Sequence, residues 1–208
     1  MRISRYARRL ATITALLAVS AFTHIARAET AVVGSPAPDF TAKDTTGADV
    51  SLHDFKGKTV VLEWFNPNCP FVKKFYSQGD MQRFQSAAKD KGVVWLTVSS
   101  SAQGKSGFLA QETGAETQQS LAMKSHALLL DSQGTVGKLY GARTTPHMFV
   151  IDPQGKLAYD GAIDSIRSTD SEDVAHATNY VNSAIDALSA GKPVAPSSTE
   201  PYGCSVKY

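Results

Sequence analysis

Two stretches of the chain are apolar at almost every position, and others alternate or repeat at helical spacing. Residues 59–65, TVVLEWF, are β-branched and aromatic nearly throughout, the pattern of a strand covered on both faces. GVVWLTVS at 92–99 repeats that pattern. Upstream, FTAKDTTGADVSLHDF (40–55) predicts a hairpin turning at Thr46-Gly47. The proline-punctuated GSPAPDF before it cannot be helical. After residue 65, Pro67-Asn68 supply a turn and a candidate helix cap. Phe71, Val72, Phe75, Met81 and Phe84 then recur among lysines and glutamines, predicting a helix interrupted at Gly79.

Further on, a polar helix is expected over 107–124 and a short strand at ALLLD (127–131). PHMFVID (146–152) and KLAYDGAID (156–164) predict a β-hairpin around Pro153-Gln154-Gly155. Val174, Ala177, Tyr180, Val181, Ile185 and Leu188 predict a closing helix within 172–190. KPVAPSSTEPYG then reads as an extended linker ending in GCSVKY. Alternating strands and helices imply a layered α/β sandwich with parallel pairing in the middle and an antiparallel hairpin at one edge.

The first residues change how the charge is read. Arg2, Arg5, Arg8 and Arg9 precede an apolar run over 10–22, and Ala26-Arg27-Ala28 offers a small-x-small cleavage site. This predicts a cleaved signal over 1–28, a domain over 29–190 and a tail over 191–208. A membrane anchor is the other reading, but the apolar core is shorter than the roughly 20 residues a span needs. The expected protein is periplasmic or secreted, with no membrane span after cleavage. The signal holds five arginines and no acid; subtracting five from 21 basic residues leaves 16 against 19 acidic, or −3. No basic footprint for nucleic acid remains.

Outside the cytosol disulfides persist, and the chain has two cysteines, Cys69 and Cys204. They allow one intramolecular pair and no four-sulfur metal site. A structural staple would close 135 residues (204 minus 69) and stabilise by roughly 4–5 kcal/mol. A reactive pair fits the spacing equally well. Cys69 falls between the first buried strand and its helix, where free N–H groups and the helix dipole favour a thiolate. Lys73 and Lys74 follow; they are read as solvated surface charges, with added positive potential as the other reading. The histidines lack ligand spacing, and no phosphate loop or G-x-G-x-x-G occurs, so no metal, nucleotide or flavin is implied. Trp64, Phe65 and Trp95 read as core.

GSPAPDF, TVVLEWFNPNCP and TTPHMFVIDPQGKL, at their spacing over about 35–163, resemble the thioredoxin fold in its alkyl hydroperoxide reductase/thiol-specific antioxidant branch. With its YGCSVKY ending, the chain is similar to an exported peroxiredoxin-like group. The resemblance implies a thioredoxin-like three-layer sandwich, a central mixed sheet flanked by helices. It also implies a thiol-dependent oxidoreductase of antioxidant type. Cys69 would be the attacking thiol and Cys204 its resolving partner. Glu63 would be the buried acid that moves protons beneath them, and Pro146 the cis-proline facing Cys69. Thr145 would present its backbone to an extended substrate. His147 is either an acid–base partner or an ordinary strand histidine. Implied substrates are protein or small-molecule thiols and disulfides, with hydroperoxides second.

The chain departs from these patterns in two places. Val72 stands where a Cys-x-x-Cys pair would have its second sulfur. Asn66 and Leu62 stand where peroxiredoxins carry a hydroxyl residue and a proline. A non-catalytic binding protein with a structural Cys69–Cys204 disulfide and a thiol peroxidase therefore remain as alternatives.

Overall fold

The computed structural model describes residues 30–208, so the expected signal lies outside the described residues. Nine strands form: β1 (Thr41–Asp44), β2 (Asp49–Ser51), β3 (Val60–Trp64), β4 (Val94–Ser99), β5 (Ala127–Leu130), β6 (Thr144–Thr145), β7 (His147–Ile151), β8 (Leu157–Gly161) and β9 (Cys204–Ser205). The helices are α1 (Pro70–Tyr76), α2 (Asp80–Asp90), α3 (Gln111–Ser120), α4 (Thr135–Tyr140) and α5 (Tyr180–Ser189). Seven strands make one sheet in the order β2-β1-β5-β4-β3-β7-β8. Pairing is parallel for β3–β4 and β4–β5, and antiparallel elsewhere. The β7–β8 hairpin forms one edge, as the sequence predicts.

The near-continuous apolar character of β3 and β4 has its reason in two cores. Val61, Phe65, Trp95 and Val150 face Phe75 of α1, Met81 of α2 and Ile185 of α5. Leu62, Trp64, Leu96 and Phe149 face Val136 and Tyr140 of α4. Each aliphatic or aromatic side chain fully withdrawn from water there contributes roughly 1.5–3 kcal/mol. The expected interruption of the first helix is real: Gly79 sits at φ +80 between α1 and α2, a conformation that strains any side chain.

Two helices differ from expectation. The six-residue α4 has a glycine in its middle and too few residues to show periodicity. Asp131 holds it in place, accepting from the Val136 N–H at 3.1 Å and the Gly137 N–H at 2.8 Å. The closing helix starts later than predicted, because Asn179 caps α5 by accepting from the Asn182 N–H at 2.9 Å. Val174 lies in a separate 3-10 turn, Glu172–Ala175. No described helix is long and apolar enough to cross a membrane.

Candidate active site

Cys69 is placed by the exit from β3. Phe65 is still tied to β4, its N–H donating to the Val98 carbonyl at 2.9 Å. Asn66 then folds the turn: its Oδ1 accepts from the Asn68 N–H at 2.8 Å, and its Nδ2 donates to the Ser106 carbonyl at 2.9 Å. The chain re-emerges with Cys69 as the cap residue of α1 and Pro70 at the first helical position. The Cys69 side chain is buried, and its thiol donates to the Thr145 carbonyl at 3.0 Å. Thr145-Pro146 is a cis peptide, and the thiol's hydrogen bond places Thr145 beside Cys69.

The tail read as a linker is docked along its length. Thr145 pairs with Cys204 and Thr144 with Ser205 in an antiparallel β6–β9 ladder. The Val206 N–H donates to the Arg143 carbonyl at 3.0 Å, and the Ala102 N–H to the Lys207 carbonyl at 2.7 Å. Gly203 lies so close that a Cβ there would stand 2.0 Å from the Thr145 oxygen. Just before it, the buried Tyr202 donates its hydroxyl to Asp164.

Lys74 overturns its surface reading, whereas Lys73 is exposed as expected. The Lys74 Nζ is enclosed with Asp164 at 2.9 Å, the Ile166 carbonyl at 2.8 Å and the Tyr202 hydroxyl at 3.4 Å. One ionic cluster thus ties α1 to the segment after β8 and to the tail. Helical spacing could not reveal this, because the partners stand 90 and 128 residues away.

The two thiols are unequal. Burial raises the Cys69 pKa, but hydrogen bonds from the Cys204 thiol, the Thr145 side chain and the backbone N–H groups of Cys204 and Val72 bring it below the ordinary value. Cys204 is pushed up to about 11 by burial, by its hydrogen bond to Cys69 and by the charge that Cys69 acquires. Cys69 therefore ionises first, and Cys204 remains its hydrogen-bond donor.

Glu63 is fully buried on the same face of β3 as Val61 and Phe65. Burial lifts its pKa to about 7, against donors that favour the charged form: Trp95 Nε1 at 2.8 Å, Tyr76 Oη at 2.9 Å, and Gln85 and Thr97 at 3.2 Å. Tyr76 belongs to α1, so the carboxyl is linked to the helix that Cys69 begins.

His147 does not join this group. Its Nδ1 accepts from the Arg143 N–H at 3.2 Å, so its Nε2 carries the proton and donates to Asp160 at 2.7 Å. The ring packs at a tilt against Phe149, centroids 4.4 Å apart, in the core on the opposite face from Cys69. The acid–base reading of His147 beside Cys69 is corrected on that geometry. Among the described residues no His, Cys, Asp and Glu side chains group as a metal site would require.

Comparison with known proteins agrees with this architecture. The AhpC/TSA family profile matches residues 33–160. The thiol-disulfide oxidoreductase ResA of Bacillus subtilis is 30% identical over 130 residues, covering 60% of this chain and 64% of its own. ResA of Bacillus cereus is 26% identical over 136 residues, covering 64% and 72%. The chain thus spans about two thirds of the length of these relatives. Among solved structures, an uncharacterized conserved protein from Geobacillus kaustophilus superposes with a TM-score of 0.74 at 26% identity, over 85% of this chain and 92% of that one. The thioredoxin domain of a thiol-disulfide oxidoreductase from Bacteroides vulgatus, at 24% identity, shares the fold with a TM-score of 0.50 over 71% and 97% of the two chains. The three-layer sandwich is thioredoxin-like, and the chain belongs to the AhpC/TSA family.

Proposed function

We propose that this protein is an exported thiol–disulfide oxidoreductase in which Cys69 is the nucleophile and Cys204 resolves the intermediate. The observation that carries this reading is the contact between a buried, acidified Cys69 and a second thiol held on the neighbouring strand. The similarity to thiol-disulfide oxidoreductases supports it. In this mechanism the Cys69 thiolate attacks one sulfur of a substrate disulfide, and the other sulfur leaves as a thiolate. Cys204 then attacks the Cys69 sulfur. The substrate's remaining sulfur departs, and a Cys69–Cys204 disulfide is left for an external dithiol to reduce. Once Cys69 is bonded it no longer carries the charge that adds to the effect of burial on Cys204, so the resolving thiol becomes easier to ionise. Glu63, poised near neutrality, serves as proton donor and acceptor for this exchange.

A second reading has an observation in its favour. The tail is anchored at several points besides Cys204, as a permanent structural disulfide would require. Trapping separates the two. In Cys204→Ser protein, the oxidoreductase stalls as a mixed disulfide between Cys69 and a substrate thiol, seen as added mass that dithiothreitol removes. A structural clip gives no such adduct.

A further inference from the structure

The tail pairs with the Thr144–Thr145 edge, whose Thr145 carbonyl also accepts from the Cys69 thiol. We propose that residues 202–204 occupy the polypeptide site in cis, and that substrates are extended chains carrying an aromatic hydroxyl residue two positions before the reactive cysteine. This deepens the oxidoreductase reading and rests on it. Three features of the tail define the site. Its backbone pairs with Thr144 and Thr145, the edge beside Cys69. Its glycine passes where a Cβ would meet the Thr145 oxygen at 2.0 Å, so a substrate strand needs glycine there to follow the same course. Its tyrosine enters a pocket specific for a phenol. The ring of Tyr202 lies edge-on to Phe71 at 5.8 Å, and its hydroxyl reaches both Asp164 and Lys74.

That pocket reads chemistry rather than bulk. Asp164 is a buried acceptor, and its second oxygen is held by Lys74 at 2.9 Å. The first oxygen accepts from the Tyr202 hydroxyl and from the Ile166 N–H at 3.1 Å; a phenylalanine would remove one of these two donors, so the pocket discriminates by hydrogen bonding as well as size. Because the tail and a substrate strand need the same Thr145 backbone, they exclude each other. Substrate entry therefore displaces the tail, and return of the tail expels the substrate strand while bringing Cys204 to Cys69. Glu200, paired with Arg143 at 3.3 Å, and Thr199, which accepts from the Ala162 N–H at 2.9 Å, hold the tail upstream of the displaced segment.

The test uses full-length protein and a fluorescent copy of residues 200–208 with serine in place of cysteine. Without sulfur, the peptide reports on the site whether or not Cys69 turns over. Two variants loosen the tail by independent means: Tyr202→Ala empties the phenol pocket, and Gly203→Ala forces the backbone off Thr145. Both should bind the peptide about tenfold or more tighter than the unaltered protein. A peptide with alanine for its tyrosine should lose about tenfold on both variants. Equal binding to all three proteins, no saturable binding to any, or indifference to the peptide's tyrosine would overturn the proposal. A small disulfide that reacts with Cys69 equally fast in all three while the peptide fails to bind would also overturn it and leave the oxidoreductase reading intact.

Discussion

Thr145 and Cys204 are partners across the β6–β9 ladder, and the Thr145 carbonyl also accepts the proton of the Cys69 thiol. One residue therefore organises both sulfurs, fixing the backbone of one and the hydrogen of the other. The difference between the two thiols follows from the hydrogen bonds that Cys69 receives from the Cys204 thiol, the Thr145 side chain and nearby backbone N–H groups, and from burial of Cys204, whose raised pKa Lys207 only partly offsets.

A pair of substitutions isolates the contribution of the Cys204 thiol to the acidity of Cys69. Serine at 204 keeps a donor toward Cys69, whereas alanine removes it. Titrated by ultraviolet thiolate absorbance, Cys69 should ionise at lower pH in Cys204→Ser than in Cys204→Ala. Coincident titrations would mean that the side-chain hydrogen bond contributes nothing.

Glu63 makes stability depend on pH in a defined window. Its pKa rises on folding from 4.5 to about 7, so between those values the folded protein keeps a proton that the unfolded chain has released. Stability is then full below pH 4.5 and falls as pH rises toward 7, by about 3 kcal/mol in total. Urea denaturation at a series of pH values should show this slope in the unaltered protein and lose it in Glu63→Gln. An identical slope in both would assign the effect to another group.

Lys74 and Asp164 should behave as a buried pair. Lys74→Met leaves a carboxylate enclosed without its cation and should cost about 3–5 kcal/mol in urea denaturation. The double variant Lys74→Met/Asp164→Leu should recover much of that loss, since no uncompensated charge remains. If the double variant is as unstable as the single one, the cost lies in packing and not in charge.

Peroxide should be a poor substrate. Asn66 holds the position of the expected hydroxyl, and its amide is committed to Asn68 and Ser106. Reduced Cys204→Ser protein exposed to hydrogen peroxide should accumulate dimedone-trappable sulfenic acid no faster than an ordinary protein thiol. Rapid, stoichiometric trapping at Cys69 would restore the peroxidase reading.

Much of the sheet was legible because its central strands are buried on both faces, and that prints a nearly continuous apolar run in β3 and β4, broken only by polar side chains such as Glu63 and Thr97. The position of Cys69 between strand and helix was legible for the same reason. Other features leave no local mark. α4 is short and held by Asp131 from outside the helix. The start of α5 depends on which of several polar residues caps it, and Asn179 does so where periodicity alone suggested an earlier turn. Lys74 looks like any helix lysine until the fold brings Asp164 and Tyr202 to it. His147 follows the proline in sequence, yet strand alternation turns its ring to the opposite face from Cys69. The tail's composition predicted an extended chain, but nothing in it pointed to the pairing of Cys204 and Ser205 with Thr145 and Thr144.

The most direct measurement is the reduction potential of the Cys69–Cys204 couple, by thiol trapping in glutathione buffers. An oxidoreductase requires a labile, exchange-competent pair, with a potential above about −250 mV. A value below about −300 mV would identify a structural clip and contradict the oxidoreductase. Two thiols that never pair would contradict it as well.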